Sequence, residues 1–216
     1  MKTLKGYARG DPAALKALFE ALFYSSVAMT MTGTSSVASG GEHLISHTLD
    51  MIAGRDRQQH DLHGRQVGIG AILTAAIYEK VMQTDTPVFL EAPRRINEEF
   101  WGSLSPIVEK EYQEKLVRIR KAAAFLAIPE NWQEMKNLIQ PGLVPASKLK
   151  SCLAEAGAAH RFYDIRVDGR PLEREKFLRA VRHANQMRQR FTILDLAVML
   201  GIIPDNLESL IDTWVS

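Results

Sequence analysis

Apolar residues along this chain recur mostly at helical spacing. After Asp11-Pro12, a capping residue followed by proline at a first helical position, Leu15, Leu18, Phe19, Leu22 and Phe23 fall three and four residues apart. That spacing predicts a helix to about Met31. The Gly/Ser/Thr stretch 32–41 breaks it. A second helix is expected over about Glu42–Ala53, a polar connection over Gly54–Leu62, and a third helix from His63 to about Met82. Gly64, Gly68 and Gly70 near its start predict that something packs closely against this backbone. Ser105-Pro106 opens a long helix to about Leu126, Pro129 a short one through Trp132, and Pro145 another to about Ala156. Pro171 is read as opening a helix to about Arg190, Thr192 one through Leu200, and Pro204 a last one. Only Arg161–Val167 alternates like a strand. The pattern predicts an all-α fold of eight or nine helices in one domain over residues 1–216, without a parallel sheet.

Composition narrows the function classes. Of 216 residues, 46% are hydrophobic and 24% charged, an ordinary globular balance long enough to bury a core without a disulfide. The single cysteine, Cys152, lies in an apolar sequence and reads as a small buried residue in a reducing compartment. With 27 basic and 25 acidic residues interspersed, the net charge of +2 argues against nucleic acid as partner. The densest cation run (Arg170, Arg174, Lys176, Arg179, Arg182, Arg188 and Arg190) is interrupted by Glu173 and Glu175 and reads as a solvated helix face. No apolar run approaches a membrane span, and Met1–Gly6 lacks the hydrophobic core of a signal peptide, so a cytoplasmic location is expected. There is no G-x-G-x-x-G and no strand–helix alternation to carry one, so this chain alone is not expected to hold a dinucleotide in the usual way.

The histidines carry the candidate chemistry. Four of six fall between Gly41 and Gly64: His43, His47, His60 and His63. On the second helix His43, His47 and Asp50 share one stripe, leaving Leu44, Ile45, Leu49, Met51 and Ile52 to face a core. An antiparallel third helix would bring His63 towards the same ion. Two imidazoles and a carboxylate on one edge can place a metal ligand beside a proton-transfer group. The same spacing also suits a plain polar helix face, and spacing alone leaves both readings open. His60 forms an H-x-x-H with His63 and is either an alternative ligand or solvated. His160 and His183 stand alone and read as structural or surface residues.

Ser39-Gly-Gly-Glu-His-Leu-Ile-Ser-His-Thr-Leu-Asp50, then His63-Gly-Arg-Gln-Val-Gly-Ile-Gly70, resembles the metal-site segments of the glycerol-1-phosphate dehydrogenases, relatives of glycerol dehydrogenase, iron-containing alcohol dehydrogenase and dehydroquinate synthase. His183-Ala-Asn-Gln-Met-Arg-Gln-Arg-Phe-Thr-Ile-Leu-Asp-Leu-Ala197 resembles a later helix pair of that family, so the likeness runs from about Val27 to Gly201. It implies the helical, metal-binding C-terminal half of a two-domain enzyme whose N-terminal α/β domain binds NAD or NADP. His43 and His63 would be metal ligands, and His47 would stand at the substrate-contacting, proton-transfer position. Ser39, Asp50 and Arg65 are candidate supports or substrate contacts. The family's third ligand, an aspartate far upstream of the first histidine, has no counterpart in the 42 residues before His43. This implies that the cofactor domain is absent here and that the isolated chain is inactive. Two positions depart from the pattern: Arg65 replaces a glutamate, and Ser36 an arginine suited to a substrate phosphate.

The resemblance therefore implies a divalent metal (zinc, with nickel and iron open), NAD(P) through another domain, and dihydroxyacetone phosphate or a similar small polyol or ketone as substrate. A dehydroquinate-synthase-like cyclase is the second enzymatic reading. The third is a non-catalytic standalone helical domain that binds a partner, or a second copy of itself, through the face once covered by the cofactor domain.

Overall fold

The computed structural model describes residues 10–216; the expectation for Met1–Gly6 lies outside them. The architecture is all-helical, with one two-stranded hairpin among the described residues. In chain order the helices are α1 (Pro12–Thr32), α2 (Gly41–Arg55), α3 (His63–Met82), α4 (Glu98–Trp101), α5 (Ser105–Leu126), α6 (Pro129–Ile139) and α7 (Ala146–Glu155). They continue as α8 (Arg174–His183), α9 (Ile193–Met199), α10 (Ile202–Asp205) and α11 (Leu207–Trp214). Strands β1 (Arg166–Val167) and β2 (Arg170–Pro171) pair antiparallel across Asp168 and Gly169, both at positive φ. No helix of the described residues is long and apolar enough to cross a membrane.

Local chemistry accounts for most boundaries. Asp11 caps α1 by accepting from the Ala13 and Ala14 N–H groups, and Gly33 ends it in the left-handed conformation that a side chain resists. Thr192 and Asp195 form a reciprocal capping box at the head of α9. Helix α6 runs on to Ile139, past the expected stop at Trp132, because its buried Trp132 and Lys136 both donate to the Thr84 carbonyl at 3.0 Å. Of the α1 residues only Ala14 is buried, so Phe19, Leu22 and Phe23 face outward.

Helices α2 and α3 form the centre. Their cross-contacts run antiparallel: Gly41 meets Thr74, Glu42 meets Gly70, and Ser46 bonds Gln66. Ile45, Ile69, Ile72, Leu73 and Ile77 are fully buried between them and the surrounding α7, α9 and α11. The pair can approach this closely because of Gly70. A Cβ there would lie 2.8 Å from the Glu42 carbonyl oxygen and 3.1 Å from its Cα. Gly68 leaves ordinary contact room against Leu153, whereas Gly64 faces open space, so the expected close approach holds at Gly70 and not at Gly64.

Three further expectations are corrected. Pro171 ends a strand instead of opening a helix; Glu173 is the cap and α8 starts at Arg174. That helix stops at His183, followed by a single 3-10 turn over Ala184–Gln186 and an extended Met187. The cause is distant in sequence: the fully buried Lys115 ammonium of α5 takes the carbonyls of Asn185 and Met187, the latter at 2.9 Å, together with Asp195 Oδ1 at 3.2 Å. Those carbonyls are thereby withdrawn from a continuing helix. Cys152 is half-buried, where the sequence suggests a buried residue.

His183 gives the fold an acid-sensitive point. Its ring packs on Phe100, centroids 4.6 Å apart. Burial, then the Arg182 and Arg179 cations, depress its pKa to about 4. An unfolded histidine titrates near 6.5, so between about pH 6.5 and 4 the unfolded chain takes up a proton that the folded chain refuses. Stability from this group is complete above pH 6.5 and falls as the solution is acidified through that window. The loss is at most about 3 kcal/mol, reduced by solvent reaching the half-buried ring. In thermal melts across pH 7–4, His183→Gln is expected to flatten this part of the acid limb; an unchanged slope would assign it elsewhere.

Candidate metal centre

The N-terminal half of α2 and the first turn of α3 bring three imidazoles together. Ring centroids of His43 and His63 are 5.2 Å apart, those of His47 and His63 also 5.2 Å, and those of His43 and His47 6.3 Å. The antiparallel crossing makes this possible, because the start of α3 returns past the first three turns of α2.

Two of these rings are held with a defined free nitrogen. Glu42 Oε1 lies 2.8 Å from His43 Nδ1 and also accepts the Gly40 N–H. Burial would raise the Glu42 pKa, but the His43 ring and the Gly40 N–H outweigh it and hold the carboxyl low. A carboxylate there fixes the proton on His43 Nδ1 and leaves Nε2 with a lone pair. His63 Nδ1 lies 2.9 Å from Ser46 Oγ, whose own proton goes to Gln66 Oε1 at 2.7 Å. A hydroxyl has one proton, so Ser46 must accept from His63 Nδ1–H, and His63 Nε2 is likewise free.

His47 is held more loosely, with Nδ1 4.0 Å from Asp50 Oδ2. Burial first, then the neighbouring His63 ring and the Arg188 cation, lower its pKa, which favours the neutral ring. Asp50 Oδ1 is buried without a hydrogen-bond partner; His60 Nδ1 approaches it at 3.3 Å but spends its proton on the Asp61 carbonyl. An orphaned carboxylate oxygen beside imidazole lone pairs is the environment a cation would satisfy. Ligand atoms of His47, Asp50 and His63 lie within 4.8 Å of one another, a set that includes Asp50 and His47 but not His43. The residues present thus fit a divalent metal, with His63 common to both groupings.

The other candidates lie as follows. Ser39 lines the cleft beside His43 and His47, and its carbonyl accepts from Arg190 at 2.8 Å. Arg65 turns away: Asp61 holds it at 3.0 Å, the Asp164 carbonyl accepts from its other end, and it lines a separate cleft with His160 and Arg161. The cation beside the histidines is supplied instead by Arg188 and Arg190, which line the same cleft of about 580 Å3. Sequence reasoning passes over both as the tail of a helix face. The signal that could have found them is their place in the R-x-R of the later family-like motif, two residues before the capping Thr192.

The chain is similar to several curated dehydrogenases. A glycerol-1-phosphate dehydrogenase [NAD(P)+] of Geobacillus stearothermophilus is 27% identical over 188 residues, which is 87% of this chain and 39% of that protein. The enzyme of the same name from Staphylothermus marinus is 44% identical over 71 residues, 33% of this chain and 19% of its own length. That of Pyrococcus furiosus is 42% identical over 69 residues, 32% of this chain and 19% of its own length. The chain therefore spans well under half the length of these relatives. No protein-family model and no solved structure matches it.

Proposed function

From the premise that this chain is glycerol-1-phosphate-dehydrogenase-like, we propose that it forms the metal- and substrate-binding portion of an NAD(P)-dependent oxidoreductase acting on dihydroxyacetone phosphate or a similar small polyol or ketone. The observation that carries this reading is the cluster of three imidazoles with a buried, unpartnered Asp50 oxygen, at the edge of a cleft that His43 and His47 line. His43 and His63 are the ligands in this proposal, because each has its Nδ1 fixed by an acceptor and its Nε2 presented. His47, neutral and half-exposed, is the proton-transfer group.

A metal held by His43 and His63 would supply Lewis acidity at the substrate carbonyl, and a nicotinamide cofactor would supply hydride. In oxidation the neutral His47 ring takes the proton of the substrate hydroxyl; in reduction the ring first takes a proton from solvent and, as imidazolium, gives it to the developing alkoxide. Asp50 stands 4.0 Å from His47 Nδ1 and steadies the ring when it is charged. Glu42 and Ser46 keep the two ligand rings in one tautomer and orientation.

A zinc titration followed by calorimetry tests the assignment. One equivalent is expected to bind, with His63→Ala and His43→Ala each weakening it by about 100-fold or more and His47→Asn by less than tenfold. If His47→Asn abolishes binding while His43→Ala does not, the set of His47, Asp50 and His63 holds the metal and the proposed role of His47 falls.

A further inference from the structure

The cleft beside the histidines has an unusual lining for a metal site. Its lining includes two arginines, Arg188 and Arg190, and three serines, Ser25, Ser35 and Ser39, and no acidic residue. The two arginines are differently employed. Arg190 donates to the Ser39 carbonyl at 2.8 Å and reaches Ser35 Oγ at 3.5 Å, so it fixes the loop before α2. Arg188 does no such structural work. Its guanidinium is half-exposed and its nearest carboxylate, Glu111, is 3.8 Å away.

The backbone of Arg188 is what sets it apart. It sits at φ +60, where a long side chain is disfavoured, directly after the extended Met187. Glu111 Oε2 accepts the Arg188 N–H at 2.8 Å, and Lys115, one turn further along α5, holds the preceding Met187 carbonyl. Two residues of one helix thus clamp this turn. A fixed, strained turn that sets a half-exposed guanidinium, only distantly paired with Glu111, in the lining of a cleft without carboxylates suits an oxyanion with several acceptor oxygens.

We propose that Arg188, supported by the hydroxyl-lined wall that Arg190 holds in place, is the phosphate-recognising residue that makes this cleft select a phosphorylated polyol or ketone over its neutral counterpart. The assignment rests on the functional reading above for the identity of the ligand, but not for the existence of the anion site. It also gives the positive charge that Ser36 does not supply to a residue about 150 positions later in the chain.

The test uses the metal-free chain, titrated at constant ionic strength with inorganic phosphate, glycerol 1-phosphate and glycerol, and followed by calorimetry. The chain is expected to bind both phosphates and not glycerol. Arg188→Gln is expected to weaken phosphate binding about tenfold or more, with Arg188→Lys intermediate because it keeps the charge and loses the fork. Arg166→Gln, in the separate cleft lined by Arg65, should leave phosphate affinity unchanged. No phosphate binding, or binding lost in Arg166→Gln and kept in Arg188→Gln, would overturn the assignment. Zinc binding measured on the same variants separates the two readings. Phosphate bound through Arg188 with no zinc uptake sinks the metal centre alone, and zinc bound without phosphate sinks the anion site alone.

Discussion

Replacing Lys115 with methionine is expected to destabilise the protein by about 3–5 kcal/mol, the cost of breaking a buried ion pair from one side. The ammonium and the Asp195 carboxylate are both fully buried, 3.2 Å apart. Burial pushes the Lys115 pKa down and the Asp195 pKa up, and their mutual attraction opposes both shifts. Methionine fills most of the volume but strands three acceptors: Asp195 and the carbonyls of Asn185 and Met187. For a chain of this size the melting temperature should fall by roughly 10 °C. The double variant Lys115→Met/Asp195→Asn should recover part of that loss, since it removes the uncompensated charge while an amide can still accept from Thr192. The effect should also reach the cleft, because the released turn is the one that aims Arg188. Phosphate affinity should fall in Lys115→Met even at temperatures where the chain is folded. A destabilisation below about 1 kcal/mol would mean that the ammonium is not the anchor of this turn.

Gly70→Val is expected to be the most damaging change at the helix pair. In an exposed helix, removing glycine gains up to about 1 kcal/mol of helix propensity. Here the new Cβ would sit 2.8 Å from a backbone oxygen of α2, which has no rotamer to escape into. Overpacking of this kind costs about 1–3 kcal/mol, so sterics outweigh propensity. The obstructed residue is Glu42, whose side chain holds His43, so separation of the helices also disturbs the presented imidazoles. Gly70→Val should therefore lower both the melting temperature and zinc affinity. Gly64→Ala, six residues earlier on the same helix and facing open space, should be neutral or slightly stabilising. Equal effects at the two positions would contradict the account of the α2–α3 crossing.

These two residues also show how much was legible in the sequence. The stripe of His43, His47 and Asp50 follows from helical rotation, and the caps at Asp11 and Thr192 follow from local side-chain chemistry, so α1, α2 and the head of α9 could be placed from a short window. The start of α3 at His63 and the span of α5 were equally readable. The end of α8 was not, because nothing within ten residues of His183 stops it. The stop comes from Lys115, about 70 positions away, and a periodic run of arginines disguises it. Pro171 misleads for a related reason. Proline suits both a first helical turn and the end of an edge strand, and only the positive-φ pair Asp168 and Gly169 decides between them. Within the site, spacing could gather the histidines but could not rank them. The distinction between His43, clamped by its neighbour Glu42, and His47, loosely held by Asp50, depends on which way each ring nitrogen turns. Arg65 and Arg188 exchange their expected places for the same reason: sequence proximity to His63 did not decide which guanidinium faces the cleft.

The most direct test of the central claim, that α2 and α3 build a metal site from imidazoles, is the zinc X-ray absorption spectrum of the chain loaded with one equivalent. The account predicts a first shell of nitrogen and oxygen at about 2.0–2.1 Å, outer-shell scattering from at least two imidazole rings, and loss of that scattering in His63→Ala. A sulfur shell near 2.3 Å, which only thiolate or thioether ligation would give, or an all-oxygen shell unchanged by His63→Ala, would contradict it.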